Sequence, residues 1–223
     1  MSEDTLLPVF LNGARDYVQG TQIISRLAGA VSDGSELTLH SVDFHKITDR
    51  VVYAAERDAT DWEKESGDVL GRVVFSASQQ QRRFVLLQGV DVAPRKSIAE
   101  NARWQELTDQ RKGRLTTTFW IDNLQTDEDF LIAVVQTLKL LHEALADDVS
   151  DVWLTGMRAS NIPMGGAFPV SAGNLSLTEN RVMRRGLQWQ SMCTARMYAQ
   201  DGTDIASVAV SFAFKVEGEI HAD

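Results

Sequence analysis

The chain has 223 residues, 43% of them apolar and 24% charged, with a net charge of −9. That length buries a sizeable core without metal or disulfide staples, and the composition excludes the disordered, collagen-like and disulfide-scaffold classes. The acidic balance excludes sequence-independent nucleic-acid binding, which depends on Lys and Arg neutralising phosphates, so no nucleic-acid partner is expected.

No stretch approaches 18 uninterrupted apolar residues, and the opening MSEDTLLPVF is acidic where a signal peptide is basic. We therefore expect no membrane association and a cytoplasmic location. Cys193 is the single cysteine, and His40, His45, His142 and His221 show no ligand spacing. Disulfides within the chain, metals and cofactors are accordingly not expected, and no glycine-rich dinucleotide or phosphate-loop motif is present.

In chain order, Ile23, Ile24, Leu27, Ala28 and Val31 repeat at the spacing of a helix with one buried face, stopped at Asp33-Gly34. Three β-rich runs follow. They are Glu36–Phe44, a segment opening at Val51 and resuming over Val69–Ala77, and Phe84–Val90. After a polar stretch, Leu115–Ile121 reads as a strand, and Thr126 with Asp129 three residues on has capping-box spacing. Phe130, Leu131, Val134, Val135, Leu138, Leu141 and Leu145 then form one apolar stripe. Three β runs follow again: Val152–Arg158, Asn174 to Tyr198 with an interruption, and Ile205–Val216 after the hairpin signal Gln200-Asp201-Gly202.

The same order of signals is thus written twice. Each half predicts a helix lying across a curved antiparallel sheet, an α+β class whose two copies in one chain make a double hot dog. The expected division is a unit over 1–94, a connector over 95–114 and a unit over 115–223, with charges of −5, +3 and −7. The basic connector is a local place for an anionic ligand on an acidic protein.

Particular residues add a family resemblance. Gln19-Gly20-Thr21-Gln22-Ile23 opening a helix, and Leu39-His40-Ser41 opening a strand, resemble the type II acyl-CoA thioesterases. Phe119-Trp120-Ile121-Asp122 before the second helix, and Arg185-Gly186-Leu187 leading to Tyr198–Gly202 and Ile205–Val208, are similar to that family's second unit. The resemblance implies an acyl-CoA or another acyl thioester as the partner, with the acyl chain between helix and sheet. It implies hydrolysis to a free acid and CoA by a directly activated water, and further association of copies. Gln19, Gly20 and Gly156 are then substrate-binding candidates, with Arg111, Lys112 and Arg114 of the connector for the CoA phosphates.

The family's water-activating set is a carboxylate, a hydroxyl and a Gln. Its carboxylate position falls near Thr155, its hydroxyl between Thr178 and Met183, and its Gln on Val210, which has no donor or acceptor. A reassigned site would use Thr155, Asp122, Thr178 or Asn180. The alternative is a non-hydrolytic acyl-thioester-binding or scaffolding module. A closed core around Val208, Val210 and Phe212 would favour it. A dehydratase or acyl-transfer role needs an acid and a base across the reacting bond. The positions where related dehydratases keep the in-helix acid hold Ser25 and Gln136. Asp43 and His45 share one strand face, His142 is expected on the helix surface, and Cys193 is expected as a buried structural thiol.

Overall fold

In the computed structural model, residues 4–12, 16–32, 36–64, 68–78, 80–96, 103–110, 116–143, 149–158, 161–185 and 188–216 are described. They form β1 (Thr5–Leu7), β2 (Leu11–Asn12), α1 (Gly20–Val31), β3 (Leu37–Phe44), β4 (Arg50–Arg57), α2 (Ala59–Lys64), β5 (Val69–Ala77) and β6 (Gln80–Val92). The chain continues as β7 (Arg95–Lys96), β8 (Arg103–Gln110), β9 (Thr116–Asp122), α3 (Asp127–Glu143), β10 (Val149–Arg158), β11 (Ile162–Met164), β12 (Gly173–Arg185), β13 (Gln188–Tyr198) and β14 (Asp204–Val216). No helix among the described residues is long and apolar enough to cross a membrane.

All but two strands join one antiparallel sheet in the order β1-β4-β6-β5-β3-β10-β14-β13-β12-β9-β8, with β11 also on β3; β2 pairs separately with β7. The apolar stripes of α1 and α3 pack on its inner face. Ile24, Leu27, Ala28, Phe130, Leu131, Val134 and Leu138 are fully buried there, each large aliphatic side chain contributing about 2 kcal/mol. Phe130 stacks on Phe168 with ring centres 4.7 Å apart. The two helices are tied by Ser25 Oγ–H donating to Asp127 Oδ1 at 2.7 Å and by an Arg26–Glu128 ion pair at 3.1 Å. This is the double hot dog that the repeated pattern predicts.

The seam between the two half-sheets is short. β3 and β10 pair at Asp43↔Gly156 and Val42↔Met157, after which β11 takes over along Leu37–Leu39. From Phe44 onward the two strands run unpaired with each other. A Cβ on Gly156 would stand 2.8 Å from the Val42 carbonyl oxygen, so this residue type is what permits the two backbones to approach.

The expected β segment from Val51 to Ala77 is instead two strands, β4 and β5, separated by α2, and β4 pairs with β6 rather than with β5. In the second half β12, β13 and β14 are successive neighbours. The halves therefore share strand directions but not connectivity. Part of the polar stretch 95–114 is also strand, since Arg103–Gln110 pairs with β9 at the edge of the sheet. Trp104 packs against the core there, one apolar ring in a polar run. Residues 111–115 lie outside the described residues.

Candidate ligand cleft and the seam

The two helix starts are built differently. At α3 the capping box forms as the spacing predicts: Asp129 Oδ2 accepts from Thr126 N–H at 2.9 Å and Gln125 N–H at 3.1 Å, and Thr126 Oγ1 accepts from Asp129 N–H at 3.2 Å. Asp127 Oδ2 takes the Gly165 N–H at 2.7 Å. Burial pushes the Glu128 carboxyl above its ordinary range, against the pull of Arg26 and with the charges of Asp127 and Asp129 adding to the rise. Side chains thus occupy this end of the helix. Asp129→Ala should cost about 1–2 kcal/mol, read as a drop in the urea midpoint.

At α1, Gln19 is the N-cap and makes no side-chain cap bond, and the first turn holds no acidic residue. The first N–H groups of a helix have no acceptor within it. Here Gln19, Gly20 and Thr21 line a cleft of about 60 Å³ whose far side comes from α3 and β10. Ile23, Leu70, Val135 and Leu154 make it apolar, while Lys46, Gln136 and Lys139 are its main polar contributors from other elements. Among the described residues its lining includes no carboxylate and no imidazole. Neighbouring Gln22 is turned into the protein, its side-chain oxygen accepting from Phe10 N–H at 2.7 Å.

A second, polar groove of about 580 Å³ lies across the seam. Its lining includes Asp43, His45, Arg72, Thr155, Gly156 and Arg158. Arg158 donates to Asp43 Oδ1 at 2.9 Å. Arg72 Nε–H donates to the Trp62 carbonyl at 3.1 Å, its guanidinium lies 5.5 Å from the Trp62 ring centre, and one of its terminal nitrogens is 3.4 Å from His45 Nε2. Phe44 lines both the groove and the cleft.

The structure therefore brings Gln19 and Gly20 to the cleft, and Thr155 and Gly156 to the groove beyond the seam. Asp122 ends β9 opposite Arg103 and lines neither cavity. Thr178 faces Thr194 across β12 and β13, and Asn180 donates to Thr194 Oγ1 at 2.7 Å, on the far strands of the second half. Arg111, Lys112 and Arg114 lie outside the described residues. Phe44, Arg72 and Arg158 carry no motif or spacing in the sequence that marks them as site residues. Thr155 is the extra residue of a bulge between the pairs Leu154↔Phe212 and Gly156↔Ser211, which breaks the alternation that would have assigned faces along β10.

His142 is a correction. It is fully buried rather than on the helix surface. Its Nδ1 lies 2.6 Å from the Leu138 carbonyl, its Nε2 meets Ser191 Oγ, and its ring sits between Phe212 and Phe214. With Nδ1–H donating to the carbonyl, Nε2 accepts the Ser191 hydroxyl, so both ring nitrogens are satisfied without charge. Burial pushes the imidazole down to about 4. Cys193 is buried as expected; burial, with the Glu179 charge adding, pushes its thiol up to about 12.

No family model matches the chain, and no curated protein matches it by sequence. Solved structures do match by shape. The TesB protein of Mycobacterium avium subspecies paratuberculosis is similar over 92% of this chain and 90% of its own, at 14% identity and a TM-score of 0.55. An acyl-CoA thioesterase II, TesB2, from Mycobacterium marinum covers 95% and 97% at 11% identity and 0.52. The dehydratase domain of RzxB from Pseudomonas fluorescens covers 94% and 88% at 10% identity and 0.51. At these identities the likeness establishes the fold, and the fold is shared by more than one chemistry.

Proposed function

We propose that this protein binds a short acyl thioester, with the acyl group in the cleft at the start of α1 and the thioester at its rim. The observation that carries this reading is the make-up of the cleft. It is an apolar recess opening on an uncapped helix start, with amides, hydroxyls and two lysines in its lining but, among the described residues, no carboxylate or imidazole. Helix N–H groups favour a polarised carbonyl oxygen, and a volume of about 60 Å³ is small beside the several hundred Å³ of a site for a drug-sized ligand, which favours a short acyl group. Val208, Val210 and Phe212 are closed in the core, which supports binding over the family's water-activating arrangement.

Hydrolysis to a free acid and CoA is the second reading, favoured by one observation. Thr155 lies just across the seam in a groove that also holds Asp43 and His45, a hydroxyl, a carboxylate and an imidazole that could hold a water. Dehydration has less support: Ser25 is bonded to Asp127, and Gln136 in the cleft is an amide.

The test is a free-thiol release assay over acetyl-, butyryl-, octanoyl- and palmitoyl-CoA, run beside thermal shifts with the same compounds. Binding predicts a raised unfolding temperature with the short thioesters and no thiol release. Release abolished by Thr155→Ala would establish the second reading, and silence in both assays would overturn both.

A further inference from the structure

The cleft and the groove open on either side of one gap. β3 and the residues just after it contribute Phe44 and Lys46 to the cleft and Asp43, Phe44 and His45 to the groove, while β10 contributes Val152–Leu154 to the cleft and Thr155, Gly156 and Arg158 to the groove. Pairing between these strands stops at Asp43↔Gly156, where both linings meet. The backbone of His45 bonds away from β10, its N–H donating to the Leu70 carbonyl at 2.7 Å. Phe44 is shared by both cavities, and its ring is seated by two glycines. A Cβ on Gly20 would lie 2.7 Å from Phe44 Cε2, and one on Gly71 would lie 3.2 Å from Phe44 Cδ1.

We propose that the two cavities are the ends of one binding channel through the seam, closed by the Phe44 ring, with the acyl group inside and the anionic arm of its thiol carrier in the outer groove. This rests on the acyl-thioester reading. The chemistry of the two ends is complementary to such a ligand. The inner end is apolar, and the outer end holds two guanidiniums: Arg72, opposite Asp43 on β5, and Arg158, which reaches Asp43 from two residues beyond its β10 partner Gly156. Guanidinium forks suit phosphate oxygens. Arg158 is 70% exposed, and exchange of its Asp43 contact for a phosphate requires movement of that one side chain. Trp62, under Arg72, adds an aromatic wall to the same groove. The competing exit is the cleft's own mouth beside Lys46 and Lys139.

The test uses the 2-oxopentyl thioethers of CoA and of pantetheine, which keep a carbonyl, cannot be hydrolysed, and differ in phosphates and nucleotide. Dissociation constants are measured by calorimetry on the full chain. Arg158→Ala should weaken the CoA compound about five- to tenfold and leave the pantetheine compound unchanged. Lys46→Ala and Lys139→Ala, in the lining of the inner cleft, should change the two compounds by one common factor, as should Phe44→Ala. A CoA-specific loss in either lysine variant, or no CoA-specific loss in Arg158→Ala, would overturn the channel, and unchanged affinities in Phe44→Ala would overturn the role of the ring. If neither compound binds the wild type, the acyl-thioester reading itself falls, and the channel with it.

Discussion

Between neutral pH and pH 4 the protein should lose about 3 kcal/mol of folding stability through one side chain, His142. Its imidazole has an ordinary value of 6.5 and is held at about 4 in the folded chain by burial. Above 6.5 both states carry it neutral. As pH falls below that point the unfolded chain takes up a proton that the folded chain refuses, so stability declines until about pH 4, where the folded form protonates too. The surroundings explain the refusal: a carbonyl and a hydroxyl satisfy the neutral ring, and Phe212 and Phe214 flank it. Glu56, whose carboxyl is lowered by its bond to Arg82, acts in the same direction, whereas Glu128 and Glu179, raised by burial, gain stability as pH falls and act against it. The measurement is therefore differential. Urea titrations of wild type and His142→Phe at pH 7.5 and 4.5 should show the variant less stable at pH 7.5, by about 1–2 kcal/mol for the Ser191 hydroxyl left unpaired, yet with a smaller loss on acidification. Parallel pH dependences would refute the assignment.

Gly156→Val should cost about 2–3 kcal/mol and act on the joint between the halves. A side chain there meets backbone, the Val42 carbonyl oxygen at 2.8 Å, as well as Asp43 Oδ1 at 3.1 Å. Backbone cannot rotate aside as a flexible side chain can, so the strands must separate where they share just the pairs at Asp43 and Val42. Hydrogen exchange should rise first along β3 and β10. Gly29→Ala is the control of opposite sign. Nothing lies within 4 Å of its added methyl on α1, and alanine in a helix gains about 0.5–1 kcal/mol over glycine. A Gly156→Val chain as stable as wild type, with unchanged exchange along β3, would remove the seam from the account.

Much of the fold was legible because it rests on periodicity. The α1 stripe, the α3 stripe from Phe130 to Leu141, the capping box at Thr126 and the β run over Ile205–Val216 are local patterns, and each appears at its predicted place, while Leu145 of the α3 stripe lies outside the described residues. What was not legible depends on partners distant in sequence. β4 and β5 look like one interrupted run until β6 is seen to lie between them, and nothing within 50–77 announces that. His142 sits at the end of its helix, where a polar residue ordinarily meets water, and its burial follows from Ser191, 49 residues on. The cleft was half legible. Gln19 and Gly20 stand in a segment that carries the family resemblance, while Phe44 reads as an ordinary strand aromatic and Arg72 and Arg158 as surface charges. A bulge at Thr155 shifts the faces along β10, and the seam that unites these residues exists only in three dimensions.

The unequal wiring of the two half-sheets has a consequence for how the chain leaves the ribosome. In the second half β13 finds β12, and β14 finds β13, within a few residues of emerging, whereas β10 emerges before all three and pairs with β14, the last of them. In the first half β4 emerges early, with β1 available on one edge, but its other edge is completed by β6, after α2 and β5 have been made. Each half thus has a strand whose edge waits on distant chain, and the wait is longer in the second, from β10 to β14, than in the first, from β4 to β6; loop closure over longer spans is the slower event. The seam strand β10, which joins the halves, is therefore completed on its other edge only when β14, the final strand of the sheet, has been made.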